Sequence, residues 1–182
     1  MASERPTISH VAFNCFDFAA MLEHYTKVLG FHLSDIGKIG PEGCDICFLT
    51  LDPAIEHHQV ALIGGRAGAA GGGAFNHVCF RLATDGELQA RHRMLGERGV
   101  AGLTTVSHGS WLSVYSLDPE GNRVEFRWDL PWYVGQPWAG PVDLGLTEEE
   151  IRRLTVEQNR DNPRFQPMVA WRAKAVEKIS AD

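Results

Sequence analysis

The sequence predicts an α+β fold built on an internal duplication, and three observations support this. His77-Val78-Cys79-Phe80 repeats His10-Val11-Ala12-Phe13 at an offset of 67 residues. Leu95-Gly96 repeats Leu29-Gly30 at an offset of 66, and two offsets one residue apart indicate a copied unit. Within each copy the apolar residues pass from the two-residue period of a strand to helical spacing and back, so each half is a strand, a helix, then more strands. A chain of 182 residues that is 44% apolar can bury one sizeable core or two small ones.

Residues 8–13 (ISHVAF) alternate, with Val11 and Phe13 on one face and His10 and Ala12 on the other, as in a half-buried strand. Asp17 is placed to cap a helix in which Phe18, Met21, Leu22, Tyr25, Val28 and Leu29 recur at helical spacing, and Gly30 stops it. Residues 47–51 and 59–63 read as strands joined by a polar connection holding Pro53 and the pair His57-His58. Residues 67–75, rich in Gly and Ala, read as a linker. The second copy opens on a strand at 76–82, and Thr84 with Glu87 forms a capping box for a helix over 84–98. It closes on a hairpin: Asp118-Pro119-Glu120-Gly121 has the residues of a type I turn followed by a left-handed Gly bulge, which pairs Asp118 with Asn122 and sets Tyr115 opposite Glu125. Val124, Phe126 and Trp128 then face a core, and Arg123, Glu125 and Arg127 face away from it. Trp111, Ser113 and Tyr115 share one face of the preceding strand, where Trp111 either lines a site or fills a core. After Trp128 a segment rich in Pro and aromatic residues cannot continue a helix; a capping box at Thr147 and Glu150 opens a helix to about Asn159, and 167–180 has a weak helical pattern. This extension, 130–182, is expected to pack across the main domain or a second subunit.

Composition narrows the function. A net charge of −6 with scattered basic residues argues against nucleic acid, and no apolar run approaches the roughly 18 residues of a membrane span. Residues 1–10 show no apolar stretch of a signal peptide, so a cytoplasmic setting with Cys15, Cys44, Cys47 and Cys79 reduced is expected. Cys44-x-x-Cys47 supplies half a zinc site at most and lies in a strand-like run, which favours packing. His24, His32 and His92 read as surface or helix-flank residues.

The repeated His-Val-x-Phe strand puts His10 and His77 on equivalent polar faces, and Glu125 lies on the polar face of the second copy. Two neutral imidazoles and a carboxylate on one side of an ion leave the other side open, which suits non-haem Fe(II). With these residues in view, the sequence resembles the vicinal oxygen chelate superfamily over about residues 8–129: His10 in ISHVAF, the helix ending KVLGF at Phe31, His77 in FNHVCF, and Glu125 in DPEGNRVEF. The resemblance implies two βαβββ modules, about 6–66 and 76–129, pairing into a curved mixed sheet or half-barrel around a metal.

Within the superfamily, the glyoxalase-like fourth ligand would fall at Ala61, which has no donor atom, so the resemblance turns to single-domain type I extradiol catechol dioxygenases. It then implies metal ligands His10, His77 and Glu125, with Fe(II), or Mn(II) on the same ligand set; His58, three residues before Ala61, as acid/base; and Tyr115 and His108 as hydrogen-bonding partners of the reacting substrate. A regular strand with Ala61 toward the metal would send His57 the same way; the resemblance favours His58, so an irregular strand start is expected there. The implied partners are a small aromatic diol, such as a 2,3-dihydroxybiphenyl, and O2, in a homo-oligomer. Other activities on this fold are the glyoxalase, epimerase and fosfomycin-modifying types and metal-free binding modules of the bleomycin-resistance kind.

Overall fold

The computed structural model describes residues 8–39, 43–54, 56–68 and 76–181. The expected linker lies outside them from residue 69 onward. The chain forms two compact units, one of residues 1–75 with 118–122 and the other of 76–117 with 123–182.

In the first unit β1 (Val11–Asn14) leads into α1 (Phe18–Glu23), a π-helical turn (His24–Val28), β2 (His32–Ile39), β3 (Cys44–Thr50) and β4 (Val60–Ile63). The sheet runs β1-β4-β3-β2, with β1 parallel to β4 and the other pairs antiparallel. Asp17 caps α1 as expected, its side chain accepting the Ala20 N–H at 2.9 Å. The helix predicted to run on to Gly30 widens at His24 instead, and the Leu29 N–H reaches back five residues to the His24 carbonyl at 2.9 Å. That extra residue in the turn shifts the helical phase and sends Tyr25 and Leu29 fully into the core with Met21. It also corrects the reading of His24 as a flank residue: it is 8% exposed, and its Nε2 has no hydrogen-bond partner among the described residues. The turn at 118–122 contributes buried carboxylates here. Glu120 accepts the N–H groups of Phe16 (2.6 Å) and Asp17 (2.7 Å) and pairs with Arg66, while Tyr25 donates to Asp118 Oδ2 at 3.4 Å. Cys44 and Cys47 both lie on β3, and three residues apart on a strand they point to opposite faces, which excludes a shared ion.

The second unit repeats the order: β5 (His77–Arg81), α2 (Asp85–Glu97), β6 (Thr104–Ser107), β7 (Trp111–Leu117) and β8 (Arg123–Asp129), in a sheet β5-β8-β7-β6 with β5 parallel to β8. The Thr84–Glu87 capping box is present. Leu112, Val114, Val124 and Phe126 are at most 1% exposed, each contributing roughly 1.5–3 kcal/mol through burial. At Gly102 (φ +67°) a Cβ would lie 2.5 Å from Leu117 Cγ, so only Gly lets this turn close on β7. The C-terminal extension packs on this unit: β9 (Trp132–Tyr133) pairs with β10 (Gln166–Pro167), and α3 (Glu148–Asn159) buries Ile151 and sets Arg152 4.7 Å over the Trp128 ring. The Thr147–Glu150 capping box opens α3, and α4 (Met168–Ala181) follows β10. Among the described residues no helix is long and apolar enough to cross a membrane.

Candidate metal centre

In the second unit the site is built on the β7–β8 hairpin. Its turn is the expected one: the Gly121 N–H bonds the Asp118 carbonyl at 3.0 Å, the Asp118 N–H bonds the Asn122 carbonyl at 3.0 Å, and Gly121 has φ 77°. This sets Tyr115 opposite Glu125. Glu125 is 3% exposed, which a carboxylate tolerates only with partners. Oε1 accepts the hydroxyl proton of Ser113 at 2.5 Å, and Oε2 lies 3.1 Å from His77 Nε2. The β5–β8 register, which pairs Cys79 with Glu125, brings His77 at the start of β5 within reach of that carboxylate.

Protons can be assigned along this chain. His77 Nδ1 is 2.7 Å from Asn76 Oδ1, an acceptor, so Nδ1 carries a hydrogen and Nε2 is the ring atom turned to Glu125. At 3.1 Å Nε2 donates to the carboxylate when it is protonated, and in the Nδ1–H neutral ring it turns a lone pair, beside the carboxylate oxygen, toward a shared cation. The donor set therefore fits a divalent metal, with Asn76 orienting one ligand and Ser113 the other. Tyr115 lies edge-on to His77 with ring centroids 5.9 Å apart. Burial first, and then the Glu125 charge, pushes its phenol up to about 12, so it stays protonated at neutral pH. His108 Nδ1 donates to the Trp138 carbonyl at 3.1 Å, which leaves Nε2 to accept the Tyr115 hydroxyl proton at 3.0 Å. Trp111 stacks on His108 at 5.1 Å and carries Arg127 5.0 Å from its ring, so it braces His108 and does not fill a core.

The first unit brings together the other two predicted residues. Because Val11 pairs with Val60 in parallel register, the segments preceding β1 and β4 emerge at the same end of the sheet. The rings of His10 and His58 lie there with centroids 4.5 Å apart, and Phe48 packs 4.9 Å from His58. β4 begins only at Val60, so His58 precedes the regular strand, as expected. Desolvation first, and then the His10 and His57 rings, lower the His58 pKa from its ordinary 6.5 and favour the neutral, proton-accepting form. Ala61 is buried and offers no donor. Among the described residues no three His, Cys, Asp or Glu side chains group at metal-binding spacing.

Sequence alone gives Asn76 no role and gives Ser113 only a place on the face of Tyr115. Asn76 leaves a trace as a polar residue just before the repeated His. Ser113 is directly opposite Arg127 in register, so its diagonal reach to Glu125 has no sequence signal.

Two modules of one βαβββ order, each with an imidazole at the head of its first strand, define a duplicated α+β protein of the vicinal oxygen chelate type. The chain belongs to the Glyoxalase/Bleomycin resistance protein/Dioxygenase superfamily, whose sequence model matches residues 7–126. It is 34% identical over 160 residues to biphenyl-2,3-diol 1,2-dioxygenase 2 of Rhodococcus globerulus, covering 80% of this chain and 78% of the relative. Biphenyl-2,3-diol 1,2-dioxygenase 3 of the same organism is 33% identical over 133 residues, 68% of this chain; the chain spans 64% of that relative's length. Among solved structures, a glyoxalase/bleomycin resistance protein/dioxygenase domain from Frankia sp. EAN1pec is similar at TM-score 0.55 and 16% identity, over 69% of this chain and 93% of that one. The fosfomycin resistance protein FosX of Listeria monocytogenes, complexed with Mn(II) and sulfate, is similar at TM-score 0.53 and 12% identity, over 68% and 93%. These structural likenesses speak to the fold alone.

Proposed function

We propose that this chain is an extradiol dioxygenase that cleaves the ring of a catechol beside one hydroxylated carbon, both atoms of O2 entering the product. The carrying observation is the buried Glu125 carboxylate 3.1 Å from His77 Nε2, in a chain whose relatives at about one-third identity are biphenyl-2,3-diol dioxygenases. His10, His77 and Glu125 are the proposed ligands of Fe(II), with Mn(II) as the alternative. When bound, such an ion supplies Lewis acidity toward the diol oxygens and a redox partner for O2.

The remaining roles belong to side chains. His58, held neutral by its surroundings, takes a phenolic proton and later returns it. Tyr115 spends its own proton on His108, so its oxygen is left to accept a hydrogen bond from a substrate hydroxyl. His108, anchored on the Trp138 carbonyl and stacked on Trp111, holds that phenol in one orientation.

The test is anaerobic loading with Fe(II), then addition of 2,3-dihydroxybiphenyl or catechol with air, following O2 uptake and a yellow ring-opened product. His77→Ala is expected to abolish metal binding, whereas His58→Ala retains metal and loses about 10²–10⁴-fold in turnover, the range of general acid–base catalysis. Absence of cleavage of any catechol by metal-loaded protein refutes the proposal.

A further inference from the structure

We propose that His57 and Asp35 form a positioning pair that fixes the tautomer of His58, placing the hydrogen on Nδ1 and leaving Nε2 as the proton-accepting atom. The inference rests on the assignment of His58 as the acid/base group and deepens it. Its geometry is contained in the first unit. Asp35 Oδ2 lies 3.0 Å from His57 Nε2, and His57 Nδ1 lies 3.0 Å from His58 Nδ1. An ionised carboxylate only accepts, so His57 carries its hydrogen on Nε2 and, when neutral, presents a lone pair at Nδ1. The hydrogen between the two Nδ1 atoms must then come from His58. His58 Nε2 is left as a lone pair, the form a base needs.

The sheet holds this relay through a specific irregularity. The β2–β3 register passes from Leu33 opposite Leu49 to Asp35 opposite Phe48, so Ser34 is the extra residue of a bulge. Bulges re-aim side chains, and here both residues turn toward His57: the Ser34 hydroxyl donates to the His57 carbonyl at 2.6 Å, and Asp35 takes the ring. The His57 and His58 rings are perpendicular, with centroids 5.2 Å apart, and Phe48 packs against both. The Asp35 and His57 side chains are 70% and 58% exposed, so their ion pair by itself is weak. The bulge and the Phe48 contact supply the orientation that an exposed pair lacks, and the function assigned to the pair is direction, with little stabilisation expected.

The test is imidazole ¹⁵N NMR of the full chain, at a pH where His57 and His58 are neutral, beside steady-state kinetics of the Fe(II)-loaded protein with 2,3-dihydroxybiphenyl. In the wild type, His58 Nδ1 is expected to be protonated and Nε2 not. His57→Phe keeps the ring packing and removes the acceptor; His58 then shifts toward the Nε2–H form, and kcat falls about tenfold with KM and metal content unchanged. His57→Gln, whose side-chain carbonyl can accept the same hydrogen, restores both readouts in part. An Nε2-protonated His58 in the wild type, or one tautomer in wild type and His57→Phe alike, overturns the inference. If the tautomer shifts and kcat does not, and His58→Ala is also fully active, it is the acid/base assignment that fails.

Discussion

Removing the Ser113 hydroxyl isolates what orients Glu125. Ser113 is fully buried, Glu125 is 3% exposed, and their hydrogen bond at 2.5 Å takes the one carboxylate oxygen that does not face His77. Ser113→Ala removes this short bond from a buried carboxylate and leaves it only its contacts with Cys79 and Tyr115, which costs about 1–3 kcal/mol of stability in the metal-free protein. It also frees the carboxylate to turn about its last torsion. Losing a partner that orients a metal ligand lowers affinity by about 10–100-fold, equivalent to about 1.4–2.7 kcal/mol of binding. Both quantities are measurable without turnover: urea denaturation of the metal-free protein, and titration with Mn(II) followed by the electron paramagnetic resonance of the free ion. Ser113→Thr keeps the hydroxyl on a side chain suited to a strand and is expected to recover most of the affinity. Mn(II) affinity that is unchanged or tighter in Ser113→Ala would refute the reasoning, whatever happens to stability.

Two further outcomes follow from the first unit. Burial lowers the His24 pKa below its unfolded 6.5, so neutral His24 contributes stability in full above pH 6.5; that contribution is lost as pH falls below 6.5 and through the folded value, because the unfolded chain takes up the proton first. His24→Gln should remove this acid-side slope, at most about 1.4 kcal/mol per pH unit, and denaturation midpoints that fall equally with pH in both proteins would contradict it. Glu120→Ala deprives the start of α1 of its acceptor and strands Arg66, with an expected loss of about 3–5 kcal/mol; Glu120→Gln keeps an acceptor oxygen and should lose less, about 1–3 kcal/mol. Equal losses in chemical denaturation would remove the charge from the explanation.

Local chemistry makes much of this protein legible in its sequence. The caps at Asp17, Thr84 and Thr147, the turn at Asp118-Pro119-Glu120-Gly121, and the alternation of Val124, Phe126 and Trp128 depend on residues a few positions apart, and all occur as read. The pairing of Tyr115 with Glu125 follows from the turn alone, and the duplication marks His10 and His77 because copied strands keep their polar face. By contrast β2 lies at the sheet edge with most residues exposed, so it carries no apolar alternation to read. The π-helical turn, and the burial of His24 with it, answers to a core assembled from distant segments. Alternation could not separate His57 from His58, because β4 starts after both; the contacts to Asp35 and to His10 separate them, and a bulge on another strand sets the first. The chain alone thus named the kinds of residue and their faces, since periodicity is local. Tertiary structure decided which lone pair faces which partner, because hydrogen-bond direction depends on neighbours that sequence spacing does not bring together.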